Sequence, residues 1–84
     1  MPENSNYDKP LPSDRIKDAL NEASAVLGRS AQDAMFSDLE FNGITFKDRQ
    51  YTLRQVQDAL RKIFGHEGTS LLMQRVERVL DSSL

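Results

Sequence analysis

Apolar residues in this chain recur every three to four positions, and a glycine stands at nearly every place where the pattern lapses. A period of roughly 3.6 residues is the mark of an amphipathic helix, and glycine is the residue that most readily stops one. In the first periodic stretch Ile16, Ala19, Leu20, Ala23, Val26 and Leu27 share one stripe, with Arg15, Lys17, Asp18, Asn21 and Glu22 opposite. Ser13 offers an N-cap oxygen, Asp14 suits the positive end of the helix dipole, and Gly28 supplies a left-handed stop. These residues predict a helix from Ser13 to Leu27.

Ser30 is placed to cap a second helix running from Ala31 to about Phe41 and ending at Asn42-Gly43. Its stripe is Ala31, Ala34, Met35 and Leu39, with Phe36 and Phe41 at opposite edges. Residues 43–51 then lose the period, and read as a connector pinned to the core by Ile44 and Phe46, with room for a short extended piece. Thr52-Leu-Arg-Gln55 is a capping box, with Tyr51 and Val56 positioned as its hydrophobic staple. The third helix buries Leu53, Val56, Ala59, Leu60, Ile63 and Phe64, and Gly65 ends it. His66-Glu-Gly68 turns the chain, and a fourth helix begins near Thr69 with Leu72, Met73, Val76, Val79, Leu80 and Ser83 inward. Asp18-Ala-Leu before Gly28 is echoed by Asp58-Ala-Leu before Gly65.

The expected fold is all-α: a four-helix single domain over 13–84, built from two αα-hairpins. Residues 1–12 hold all three prolines and little apolar content, so they read as a flexible tail in which Tyr7 is the one residue a docking motif would use. Eighty-four residues make one modest core and leave no room for a deep catalytic cleft. There is no cysteine, which excludes disulfides, thiolate metal sites and thiol nucleophiles. No apolar run approaches the ~18 residues of a membrane span. The first residues lack a basic start and an apolar stretch, so a cytoplasmic location is expected by elimination.

The sequence presents no catalytic, cofactor-binding or metal-binding constellation. His66 has only Glu67 beside it, too few ligands for a metal and no partner for a general base. Phosphate loops, nucleophile elbows and HExxH helices are all missing. The formal charge of −2 divides unevenly: eight acids against four bases in residues 1–42, five against seven in 43–84. The bases of the third helix, Arg54, Arg61 and Lys62, follow Lys47 and Arg49 in the connector. They would suit a small DNA-binding regulator using that helix and the 43–51 loop. However, three or four phosphate contacts give weak, salt-sensitive binding, and Asp58 lies among them, spaced to pair with Lys62. The leading expectation is a non-enzymatic protein–protein interaction or signalling-output module, able to self-associate as a homodimer. Its candidate partner surface is Phe36, Arg49, Arg54, Arg61 and Lys62. A small-molecule sensor with a ligand between the hairpins is a more remote reading.

The ordered array Ala19-Leu20, Leu27-Gly28, Ala34, Leu39, Gly43-Ile44, Tyr51-x-Leu53, Ala59-Leu60, Ile63-Phe64-Gly65, Gly68, Leu71-Leu72, Val76 and Leu80 resembles an archaeal small helical output-domain family, the Nitrosopumilus output-domain type. The similarity spans roughly residues 16–80. It implies an archaeal cytoplasmic protein with a four-helix signalling domain and brings no catalytic motif. No receiver domain accompanies it in this chain.

Overall fold

The computed structural model describes residues 5–47 and 50–82. It is mostly helical, with a small two-stranded sheet. In chain order come a 3-10 turn at Ser5–Asp8, strand β1 at Leu11–Pro12, helix α1 at Ser13–Ala23, a second 3-10 turn at Ala25–Leu27, helix α2 at Arg29–Phe41, strand β2 at Gln50–Tyr51 and helix α3 at Leu53–Ser82. The strands pair antiparallel, Leu11 opposite Tyr51 and Pro12 opposite Gln50.

Among the described residues three helices therefore replace the expected four. The last one is bent at Gly65, whose φ of 78° and ψ of −176° are non-helical, and helical structure resumes at once beyond it. His66, Glu67 and Gly68 form the first turn of the second arm and do not make a separate connector. The Thr69 hydroxyl, buried, donates to the Gly65 carbonyl at 2.6 Å, which satisfies an acceptor that the bend would otherwise strand. Gly28 takes nearly the same conformation, φ 88° and ψ 160°. Both glycines have the positive φ expected of them, but with an extended ψ, a region essentially reserved for glycine.

The two halves of the chain follow one plan. Residues 11–23 match 51–63 at an offset of 40, and residues from Gly28 match those from Gly65 at an offset of 37. Leu11 answers to Tyr51, Ile16 to Val56, Ala19 to Ala59 and Leu20 to Leu60; beyond the glycines Met35 answers to Leu72 and Leu39 to Val76. The three extra residues of the first half are its second 3-10 turn, Ala25–Leu27. This turn explains a failed expectation. The Ser24 side chain, fully buried, donates to the Leu20 carbonyl at 2.7 Å and ends α1 early. A 3-10 turn advances at about 3.0 residues per turn, so Val26 and Leu27 rotate off the stripe that an α-helix would have continued. They are 68% and 46% exposed instead of buried.

The core is built mainly where α1 packs on α3. Ile16, Leu20, Leu39 and Leu60 are completely inaccessible, with Met35, Val56, Met73 and Val76 nearly so. Ile63, Val79 and Leu80 are half-buried, and Phe64 is exposed, because the bend at Gly65 turns the end of the first arm outward. Helix α2 begins at Arg29, one residue before Ser30, and its buried face lies on Met35 and Leu39 with Gln32 and Phe36 beside them. The Gln32 amide donates to the Asn21 carbonyl at 2.7 Å, and Ala31 and Ala34 face outward. At the other end of α2, Gly43 (φ 93°) completes a Schellman motif: the Ile44 N–H donates to the Leu39 carbonyl at 2.8 Å and the Gly43 N–H to that of Glu40 at 3.0 Å. The capping box is also formed. The Thr52 N–H donates to Gln55 Oε1 at 2.8 Å and the Gln55 N–H to Thr52 Oγ1 at 3.1 Å.

Residues 5–12 do not behave as a tail. Tyr7 is only 5% exposed, and its hydroxyl donates to Glu77 Oε2 at 2.5 Å. Beside it Asp8 accepts from Arg54, at 2.6 Å from Nε and 3.4 Å from Nη2. The proline-rich composition argued for freedom, but one aromatic ring buried in the core and bonded to α3 outweighs it. Residues 1–4 lie outside the described part of the chain, as does Ser83.

Candidate functional site

The residues expected to form a partner surface occupy separate settings. Phe36 is half-buried, its ring edge-on to Phe46 at 6.1 Å between centroids, and Phe46 is edge-on to Tyr51 at 5.7 Å. Phe46 has a positive φ of 60°, uncommon for a residue with a side chain. Two aromatic contacts of about 0.5–1.5 kcal/mol each are enough to hold a strain of about 1–3 kcal/mol. Arg54 is engaged by Asp8, whose carboxyl is held below its usual range by the hydrogen bond from that guanidinium. Arg61 stands 3.8 Å from Asp58, the acid expected to pair with Lys62. Lys62 lines a shallow cleft with Asp58, Gln55, Tyr51 and Ile44. Arg49 lies outside the described residues. His66 is exposed at the start of the second arm of α3. No group of three or more Asp, Glu or His side chains converges among the described residues.

A different surface stands out. Where the two glycine bends come together, Ala23, Val26, Leu27, Phe64, Gly68, Leu71, Leu72 and Arg75 line a groove of about 280 Å³. Four of its large apolar residues are open to solvent: Val26 at 68%, Leu27 at 46%, Phe64 at 40% and Leu71 at 64%. Exposed apolar side chains grouped on one surface of a small domain often mark a functional patch. Each wall has a local cause. The three-residue turn Ala25–Leu27 pushes Val26 and Leu27 outward, and the Gly65 bend does the same for Phe64. Gly68 is also part of the lining, and a Cβ there would sit 3.2 Å from Phe64 Cβ. Arg75 is the one charged residue of its lining, and Glu22, Arg78 and Val79 line a separate cleft. A larger concavity of about 440 Å³ along Gln74, Glu77, Arg78, Asp81 and Ser82 is walled by polar residues of one helix face and lacks this character.

Leu71 was the signal available in the sequence. It falls outside the inner stripe of its helix, a large apolar residue on the face otherwise given to polar ones. Val26 and Leu27 carried no such signal, because the α-helical period assigned them to the core.

The N-terminal segment is bonded to α3. Burial, and then the hydrogen bond and charge of Glu77, push the Tyr7 phenol far above its ordinary value. Tyr7 and Asp8 together tie this segment to both arms of the bent helix, through Glu77 and Arg54.

No family model, curated protein or solved structure matches this chain. No helix among the described residues is long and apolar enough to cross a membrane.

Proposed function

We propose that the protein is a non-enzymatic interaction module that docks a protein partner in the groove between the two glycine bends, as a signalling-output or regulatory domain does. The observation that carries this reading is the grouping of Val26, Leu27, Phe64 and Leu71, exposed, on one concave surface. A domain of this size gains by hiding such side chains, and these four stay open although the core nearby is closed. The output-domain resemblance agrees with this role. The DNA-binding alternative has less support, since Arg54 and Arg61 already face carboxylates within the chain.

The test is site-specific photo-crosslinking in cells, with benzoylphenylalanine at position 71 or, as a control, at Asp33 on the exposed side of α2. The expected outcome is a discrete covalent adduct from position 71, absent from position 33 and lost when Val26→Glu is added. Equal adducts from both positions, or none, would overturn the reading.

A further inference from the structure

Glu67, Leu71 and Arg75 follow one another at single-turn spacing along the second arm of α3, and all three are exposed. Residues four apart on a helix lie on the same side, so these three make a short line: acid, apolar centre, base. Neither charge has a partner within its own helix. The positions three and four away from Arg75 are Leu71, Leu72, Arg78 and Val79, and those around Glu67 are Ile63, Phe64, Ser70 and Leu71. Neither Glu67 nor Arg75 makes an ion pair with another element among the described residues.

Such a line is complementary to itself when reversed. A two-fold axis through Leu71 sets each Arg75 against the other copy's Glu67, and the reverse, because in an isologous contact residue i meets j wherever j meets i. Leu71, 64% exposed, then meets its own counterpart and the apolar walls formed by Val26, Leu27 and Phe64.

We infer that the groove is filled by a second copy of this chain, in an antiparallel two-fold dimer centred on Leu71 and held in register by two Glu67–Arg75 pairs. This rests on the reading of the groove as a docking surface and names its occupant.

Sedimentation equilibrium of the full chain, from about 10 μM to about 1 mM, measures the association directly. A reversible monomer–dimer equilibrium is expected. Glu67→Arg and Arg75→Glu should each weaken it about tenfold or more, by setting like charges opposite one another. An equimolar mixture of these two variants should regain the parent affinity, because both cross pairs again have opposite signs. Leu71→Glu should abolish the dimer, with circular dichroism showing that each variant is folded. A chain still monomeric at about 1 mM, a dimer indifferent to the charge reversals, or a mixture no tighter than the single variants overturns the inference. A monomer that still crosslinks through position 71 to a different protein removes the second copy as occupant and leaves the docking surface standing. A monomer without any adduct removes both.

Discussion

Replacing Tyr7 with alanine takes away a ring that is 95% hidden and the hydroxyl that reaches Glu77. A buried tyrosine covers about 150–250 Å², and at about 25 cal/mol per Å² its apolar part is worth up to about 4 kcal/mol. The unfolded chain already hides some of that area, which lowers the figure to about 2–3 kcal/mol. The hydrogen bond to a carboxylate adds about 1–2 kcal/mol net, near the lower end for charged acceptors because Glu77 is exposed and regains water. Tyr7→Ala should therefore cost about 3–5 kcal/mol, the range seen when large buried aromatics are truncated. A domain of this length has about 4–13 kcal/mol in total. Urea unfolding followed by far-UV circular dichroism gives the loss directly, and at about 4–8 °C per kcal/mol the thermal midpoint should fall by at least about 12 °C. Tyr7→Phe, which keeps the ring, should cost only about 1–2 kcal/mol. Asp8→Ala should move the midpoint very little, since the Asp8–Arg54 pair is exposed. A Tyr7→Ala protein that melts within about 4 °C of the parent would refute the account and return residues 5–12 to the status of a tail.

Leu60→Ala should cost about 2–5 kcal/mol, because Leu60 is wholly inaccessible and the bent helix around it cannot close the gap; urea titration of the variant checks this. Gly65→Val should cost about 1–3 kcal/mol through backbone strain alone, since no atom lies within 4 Å of the added Cβ. The loss should appear in the thermal midpoint without any new cavity. Leu71→Gln should change stability by less than about 0.5 kcal/mol, because Leu71 is largely exposed and both residues favour helices; a larger thermal shift would make the groove structural. The raised Tyr7 value carries a pH dependence of definite sign. A group protonated more tightly in the folded state stabilises fully below its unfolded value, near 10, and that contribution is lost as pH rises through the folded value. The urea midpoints of parent and Tyr7→Phe should therefore converge above pH 10.

Local residue chemistry settled two helix ends, the start of α3 and the stop of α2, whereas neither Ser13 nor Ser30 makes the expected cap. Thr52 and Gln55 are three residues apart, so their reciprocal cap needs nothing beyond the turn that contains them. Gly28, Gly43 and Gly65 accept a positive φ wherever the chain must turn, and each marks the end of a periodic run. The inward positions of Ile16, Leu20, Val56, Leu60 and Val76 follow from the helical period alone. What lay beyond the reach of the sequence depended on partners far away in it. Tyr7 is drawn in by Glu77, 70 residues away, and Asp8 by Arg54, 46 away. Leu11–Pro12 becomes a strand only because Gln50–Tyr51 stands beside it. Whether Gly65 separates two helices or bends one depended on Thr69 and the packing of both arms against α1, which no local propensity encodes. The groove has a more local origin that the helical period still conceals. The buried Ser24 hydroxyl stops α1 four residues after Leu20, the 3-10 turn that follows breaks the 3.6-residue period, and Val26 and Leu27 leave the core for the surface. Periodicity assumes that one helix continues; the burial of Ser24, with its hydroxyl turned back on Leu20 and met by Gln32 from α2, belongs to the tertiary structure.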